Sequence, residues 1–318
     1  MAGGKRAPER LAWRAAMDIY LPIAGMSVNA LFMVALGFLV GLLSGMFGVG
    51  GGFLTTPLLI FYGIPPTVAV ASATTQITGA SVSGVHAHWR RGGVDFRMGG
   101  VMIAGGIIGS LIGAALFRAL QSGGQIDLII GFLYVILLGS IGGLMLKDAL
   151  VALGWMAPAE AVTQPRHNKW VASLPGRWRF YASGLYISPL APLALGFIAG
   201  ILTVLLGVGG GFILVPAMIY LLGMAARVVI GTSLVMILAV SAATTLVHAV
   251  TTQAVDIVLA GLLLVGGVVG AQYGARLTTR IKPDLLRLAL ALIILAVALR
   301  MFLGLFWRPD EIYTVYYL

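Results

Sequence analysis

The sequence predicts an all-α polytopic membrane protein built from two homologous repeats, each holding a glycine-rich broken-helix hairpin and three transmembrane helices. Three observations carry that prediction. Hydrophobic residues make up 60% of the 318 and charged residues only 9%, whereas a water-solvated domain carries about 25% charged residues; the mean hydropathy is +1.03. The apolar stretches are continuous rather than alternating, and in a bilayer, where every peptide group needs an internal partner, that pattern selects helices over barrel strands. The third observation is that the second part of the chain repeats the first.

The repeat is legible residue by residue. Leu36-Gly37-Phe38 and Gly41 return as Leu195-Gly196-Phe197 and Gly200, 159 residues on. At the same offset Gly48-Val49-Gly50-Gly51-Gly52-Phe53 returns as Gly207-Val208-Gly209-Gly210-Gly211-Phe212, and Pro57 as Pro216. The offset grows to 160 at Ser81/Ser241 and His88/His248, and to 161 at Val94-Asp95/Val255-Asp256 and Gly105-Gly106/Gly266-Gly267. Duplication followed by two one-residue insertions leaves such a pattern.

The elements follow in order. Residues 1–30 form a basic tail and a surface element: Lys5, Arg6, Arg10 and Arg14 precede a stretch broken by Asp18, Pro22 and Asn29, so 9–27 is expected as an amphipathic helix lying on the membrane. The first transmembrane repeat, 31–146, holds apolar segments at 31–47, 53–63, 67–88, 98–119 and 126–146. The second, 190–306, holds them at 190–206, 212–223, 228–249, 257–277 and 285–306. A crossing helix needs about 20 residues, so the third to fifth segments of each copy qualify. The segments 53–63 and 212–223 are too short and are expected as half-helices stopping inside the membrane. Asp95 and Asp256, each directly after a valine, look like repeated N-caps. Between the copies, 147–189 mixes Arg166, Lys169, Arg177 and Arg179 with Trp155, Trp170, Trp178 and Tyr181, the composition of a cytoplasmic interfacial loop. Residues 307–318 form a C-terminal tail.

Two topologies are open. If the hairpins make no net crossing, each copy crosses three times and the second is inverted. Arg90, Arg91, Arg97, the 147–189 loop, Arg227, Arg276, Arg280, Lys282 and Arg287 then share the cytoplasmic face, and only the N-terminal tail disagrees. If each hairpin crosses once, the copies are parallel; the tail then fits and the 276–287 cluster does not. We read the copies as inverted.

At the glycine hairpins the chain resembles the TauE/SafE sulfite exporter family of anion permeases. The resemblance rests on Gly45-Met46-Phe47-Gly48-Val49-Gly50-Gly51-Gly52-Phe53-Leu54 with Pro57-Leu58 and Gly63-Ile64-Pro65, on Gly207-Val208-Gly209-Gly210-Gly211 with Pro216, and on the lead-in Ile19-Tyr20-Leu21-Pro22-Ile23-Ala24-Gly25. It covers residues 18 to 306. It implies export of small sulfur-containing anions, such as sulfite or an organosulfonate like sulfoacetate, across a bacterial inner membrane. The second copy departs from the first in having Ala225-Ala226 where the first has Pro65-Pro66.

The segments contain few charges, which leaves the backbone as the anion receptor. A helix N-terminus exposes unpaired N–H groups and carries roughly half a positive charge. Gly50, Gly51, Gly52 and Phe53 in one copy, and Gly209, Gly210, Gly211 and Phe212 in the other, are the candidate binding residues, with Thr75 and Gln76 as side-chain donors from the third segment. The competing reading of the glycines is close helix packing, and of the hydroxyls, bonding to their own helix carbonyls. His88 and His248 are candidates for proton coupling, although Arg90 and Arg91 beside the former equally fit an interfacial anchor. The glycine run lacks the spacing and the Lys-Ser/Thr of a phosphate loop. No catalytic set, cofactor or metal site is indicated: there is no Cys and there are only four His. The positive charge lies in loops and tails, which points to membrane lipid rather than nucleic acid as its partner. Alternatives that remain are a carrier or channel for a different small anion and, remotely, a membrane-embedded enzyme. A homodimer is the commonest assembly for such a chain.

Overall fold

In a computed structural model of the chain, residues 18–47, 52–90, 92–156, 175–277 and 283–306 are described. They form ten helices and two small β-hairpins. Strands β1 (Asp18–Leu21) and β2 (Met26–Asn29) pair antiparallel and lead into α1 (Ala30–Phe47), α2 (Gly52–Phe61), α3 (Pro66–Arg90), α4 (Phe96–Ser122) and α5 (Ile126–Ala152). The same element order follows again, with strands β3 (Trp178–Phe180) and β4 (Leu185–Ile187), then α6 (Leu190–Leu206), α7 (Gly211–Tyr220), α8 (Ala226–Thr251), α9 (Ile257–Leu277) and α10 (Pro283–Phe306).

Two expectations are corrected at the surface. The amphipathic helix expected over 9–27 does not form in its second part, where residues 18–29 make a hairpin; 9–17 lie outside the described residues. Pro22 has no N–H for a helix interior, and Gly25 turns the chain at φ +66°, which glycine alone adopts without cost. The region 147–189 is not loop throughout: α5 runs to Ala152, and 178–187 is a second hairpin turning at Gly184, φ +67°. Gly25 and Gly184 stand at the offset of 159 found elsewhere, a signal that would have extended the repeat upstream.

The two short apolar segments form ten-residue helices, α2 and α7. At 1.5 Å per residue each is about 15 Å long, half the hydrocarbon thickness of about 30 Å. Five helices are long and apolar enough to cross a membrane: α4, α5 and the stretches Val228–Thr251, Ile257–Gly274 and Leu288–Phe306. Helix α3 is long enough at 25 residues but carries Ser72, Thr74, Thr75, Gln76 and Thr78 along its length. It can be polar because its neighbours enclose it: Ala69, Val70, Ala71, Ser72, Ala73 and Thr74 are all completely buried.

The main packing partners come from opposite parts of the chain: α1 lies on α9, α4 on α6, α3 on α8 and α5 on α10. Glycines set the closeness of the first two pairs. A Cβ on Gly41 would stand 2.2 Å from the carbonyl oxygen of Gly267, and one on Gly270 would stand 2.1 Å from that of Phe38. Across α4 and α6, a Cβ on Gly109 or Gly200 would stand 2.1 Å from the carbonyl oxygens of Phe197 and Gly106 respectively. Backbones in such contact gain dispersion energy that lipid tails cannot match.

The two aspartates expected as caps complete this exchange. Asp95 Oδ1 accepts from Met98 N at 3.0 Å and its Oδ2 from Ser183 N at 3.1 Å in the β3–β4 turn, while its own N–H donates to Thr232 Oγ1 of α8 at 2.9 Å. Asp256 Oδ1 accepts from Leu259 N at 3.0 Å and its Oδ2 from Ile23 N at 3.4 Å in the β1–β2 turn, while its N–H donates to Ser72 Oγ of α3 at 3.2 Å. Ser72 is in the second turn of α3, whereas Asp95 follows that helix's far end. The two clasps, with their hairpins, therefore occupy opposite ends of the molecule, and α1 and α6 run inward from opposite ends.

Candidate functional site

Helices α2 and α7 begin beside one another in the interior. The rings of Phe53 and Phe212, the second residue of each, stack with centroids 4.3 Å apart and planes within 2°, and both are almost fully buried. A Cβ on Gly52 would stand 2.0 Å from Ile77 Cδ1 and 2.9 Å from the Gly207 carbonyl oxygen, and one on Gly209 would stand 2.9 Å from Ile77 Cγ2. The start of one half-helix thus touches the chain reversal that precedes the other, with Ile77 of α3 filling the gap. Gly52, Phe53, Gly209, Gly210, Gly211 and Phe212 are brought together; Gly50 and Gly51 lie outside the described residues.

The reversal before α7 is a buried donor array. Gly207 caps α6 at φ +68°, its N–H donating to Thr203 O at 2.8 Å, and Gly209 and Gly210 follow at φ +72° and +74°. Helical bonding resumes only at Ile213 N, which donates to Gly210 O at 3.1 Å, and at Leu214 N, at 2.9 Å. Among the described residues nothing accepts from the N–H groups of Val208 through Phe212, although all five residues are buried. Buried peptide N–H groups are paired in the great majority of cases. A consecutive run of them at a helix start can receive an anion. Pro57 and Pro216, inside α2 and α7, lack the N–H that would bond the carbonyls of Phe53 and Phe212.

The expected side chains divide. Gln76 is buried at 4% exposure, and its Oε1 accepts from Thr55 Oγ1 at 3.0 Å; its Nε2 stands 3.0 Å from where a Cβ on Gly267 would lie. Thr75 donates to its own helix at Ala71 O, 3.1 Å away, and lies 3.4 Å from Thr245 Oγ1. Thr74 and Thr78 likewise donate to carbonyls four residues back. His248 is 1% exposed, its Nε2 bonded to Val204 O at 3.1 Å and its Nδ1 to Thr252 Oγ1 at 3.2 Å, with Phe117 edge-on at 5.0 Å. His88 is half-buried in the last turn of α3.

Sequence reasoning missed three residues: Ile77, Thr56 and Tyr134. Tyr134 is completely buried, and its hydroxyl donates to the carbonyl of Leu206, the residue before the reversal. Thr56 is completely buried without a hydrogen-bond partner among the described residues, as are the hydroxyls of Ser241 and Thr244 on α8. The available signal was a difference between copies: Thr55-Thr56 of the first align with Leu214-Val215 of the second.

A cavity of about 600 Å3 separates α5 from α7, lined by Ile141, Met145 and Asp148 of the former and Phe212, Pro216 and Tyr220 of the latter. It runs from the end of the molecule bearing Asp148 and Tyr220 down to Phe212. At the opposite end the corresponding pair is closed, α10 packing on α2 with the Arg300 guanidinium 5.3 Å from the centre of the Phe61 ring. Among the described residues no group of three or more His, Cys, Asp or Glu could hold a metal ion.

The sequence model of the family described as "Sulfite exporter TauE/SafE" matches residues 33–301. A probable membrane transporter protein of Bacillus subtilis is 29% identical over 276 residues, covering 87% of this chain and all of the relative. One from Xylella fastidiosa is 28% identical over 279 residues, covering 86% of this chain and 95% of the relative. A sulfite exporter TauE/SafE family protein of Arabidopsis thaliana is 45% identical over 56 residues, which are 17% of this chain and 13% of the plant protein. No solved structure matches the chain.

Proposed function

The chain belongs to the TauE/SafE family of membrane transporters, and from that premise we propose that it is a secondary transporter exporting small sulfur-containing anions, sulfite or an organosulfonate such as sulfoacetate, across a bacterial inner membrane. The observation that carries this reading is the buried run of N–H groups from Val208 to Phe212, without an acceptor among the described residues, set against the stacked Phe53 and Phe212. Peptide dipoles hold an anion without a fixed cation, so release does not require breaking an ion pair. Gly50, Gly51 and Gly52 are assigned the same role in the first half, and Gln76 supplies amide donors.

The opposed clasps at Asp95 and Asp256 support reading the two halves as inverted copies, each with one re-entrant hairpin and three crossings. Arg90, Arg97, Arg179 and Arg276 then fall on one face, which the excess of positive charge assigns to the cytoplasm. The cleft between α5 and α7 opens toward that face while the α10–α2 contact closes the other. Its walls are apolar apart from Asp148 and Tyr220, so it provides room for movement rather than a lined path for an anion. Rocking one half against the other would close this cleft and open its counterpart, exchanging access at a fixed central site. A proton moving through His88 would couple the cycle.

The test is titration of the purified protein with sulfite, sulfoacetate, taurine, sulfate and acetate, followed by flux in proteoliposomes. Saturable binding of sulfite or sulfoacetate, with concentrative flux driven by an imposed proton gradient, is the expected result. Binding of acetate alone would move the assignment to another anion class. Flux that only dissipates gradients would make the protein a channel.

A further inference from the structure

Thr56 sits in the second turn of α2, on the side of that helix facing the other half of the molecule. Its hydroxyl lies 3.1 Å from the position a Cβ on Gly207 would occupy, at the opening residue of the reversal that carries the unpaired N–H groups. The side chain is 0% exposed, and its oxygen makes no hydrogen bond among the described residues. Tyr134 stands beside it and, while donating its own proton to the Leu206 carbonyl, has an oxygen that could accept from Thr56, but no bond of acceptable geometry joins the two hydroxyls.

A threonine in a helix has an easy remedy for this isolation, which is to donate to the carbonyl four residues back. Thr74, Thr75, Thr78 and Thr203 all do so. Thr56 does not, and the rotamer it adopts leaves a donor at the edge of an array of donors. Such a collection of buried donors without acceptors is incomplete on its own. What completes it is a solute with several acceptor oxygens.

We infer that Thr56 is a substrate-binding residue, donating from the first half of the chain to a pyramidal or tetrahedral oxyanion seated on the peptide N–H groups of Val208–Phe212 in the second half. The inference rests on the proposed anion-transport reading and specifies it. Three oxygens on one sulfur, as in sulfite or a sulfonate, allow one face of the anion to meet the peptide array while another oxygen reaches the hydroxyl. Because Val215 replaces threonine at the corresponding position of the second copy, the arrangement is one-sided: peptide donors from one half, hydroxyl from the other. A movement that slides the halves apart therefore dismantles the site as it opens it, which ties occupancy to the access state.

The experiment compares wild type, Thr56→Val and Thr56→Ser in lipid nanodiscs, titrated calorimetrically with sodium sulfite and sodium sulfoacetate, with thermal melting of each variant as the folding control. The expected result is a loss of roughly tenfold to a hundredfold in affinity for Thr56→Val, the usual worth of a hydrogen bond to a charged group, with Thr56→Ser within about threefold of wild type and all three melting alike. If Thr56→Val fails to fold, Thr56→Ala takes its place. Equal affinity of the hydroxyl-free variant and wild type overturns the inference and leaves the transport reading standing, and so does an equal loss in the serine variant. Absence of binding by the wild type overturns both.

Discussion

His88 and His248 each lie in the last turn of the matching helix, α3 and α8, but in different surroundings. The His248 ring is fixed by Val204 O and Thr252 Oγ1 and covered by Phe117; a carbonyl can only accept, so Nε2 carries a proton there permanently. That geometry makes His248 a rivet between α8 and the last turn of α6. His88 is half-buried in the last turn of α3, two residues from the exposed Arg90, and is the residue to which we assign proton exchange. Replacement of His88 by Ala should flatten the pH profile of flux in proteoliposomes while changing anion affinity by less than about threefold, whereas replacement of His248 should lower the melting temperature. A His88→Ala protein with an unaltered pH profile would remove the proposed coupling. Residue-level chemistry was only partly legible in advance. Gln76 could be singled out because an amide in an apolar segment is conspicuous, but Thr56 was one threonine among many. What distinguishes it is an absent partner, which no local pattern encodes.

Among the elements, the half-helices were legible because their shortness is a matter of counting: ten apolar residues cannot span a bilayer. The surface hairpins were not, since strands of three or four residues are too short to display a period. Helix α3 was read as spanning on length, and the sequence did not disclose that its polar residues are sheltered by neighbours rather than facing lipid. Glycines are the clearest case of two readings that sequence alone could not separate, and the fold assigns them individually. Gly41 is a contact surface, so Gly41→Ala must push α1 away from α9 and should destabilise the protein by about 1–3 kcal/mol, the usual scale for overpacking. Gly139 of α5 has open space around it, with nothing within 4 Å of where a Cβ would stand, so Gly139→Ala should be neutral or stabilising by about 0.5–1 kcal/mol. Thermal melts of the two variants in detergent would measure the difference; equal effects would mean that α1 and α9 do not meet as described.

For the molecule as a whole, matching residues and the same element order in both parts of the chain point to a duplication, but the sequence did not disclose the direction of a second copy, since both topologies left one charged cluster misplaced. The clasps resolve into a specific expectation because Gln121 lies in the last turn of α4 and Arg276 in the last turn of α9, the helices that follow Asp95 and Asp256. An inverted arrangement puts them on opposite faces and a parallel one on the same face. With no cysteine in the chain, Gln121→Cys and Arg276→Cys can be labelled singly without background. We expect Arg276→Cys to react with an impermeant maleimide from the cytoplasmic side and Gln121→Cys from the other side. Reaction of both from one side would exclude the inverted reading.

The Asp95 clasp has a bearing on how the protein is made. Its carboxylate reaches Ser183 and its amide reaches Thr232, both of which are synthesised well after α4. At about 5–20 residues per second, the first five helices emerge several seconds before those partners exist, with a glycine-lined flank of α4 and a polar α3 exposed to whatever surrounds them. The nascent first half is thus an unfinished client of the insertion machinery, and its maturation is complete only when the last helices arrive to close around it.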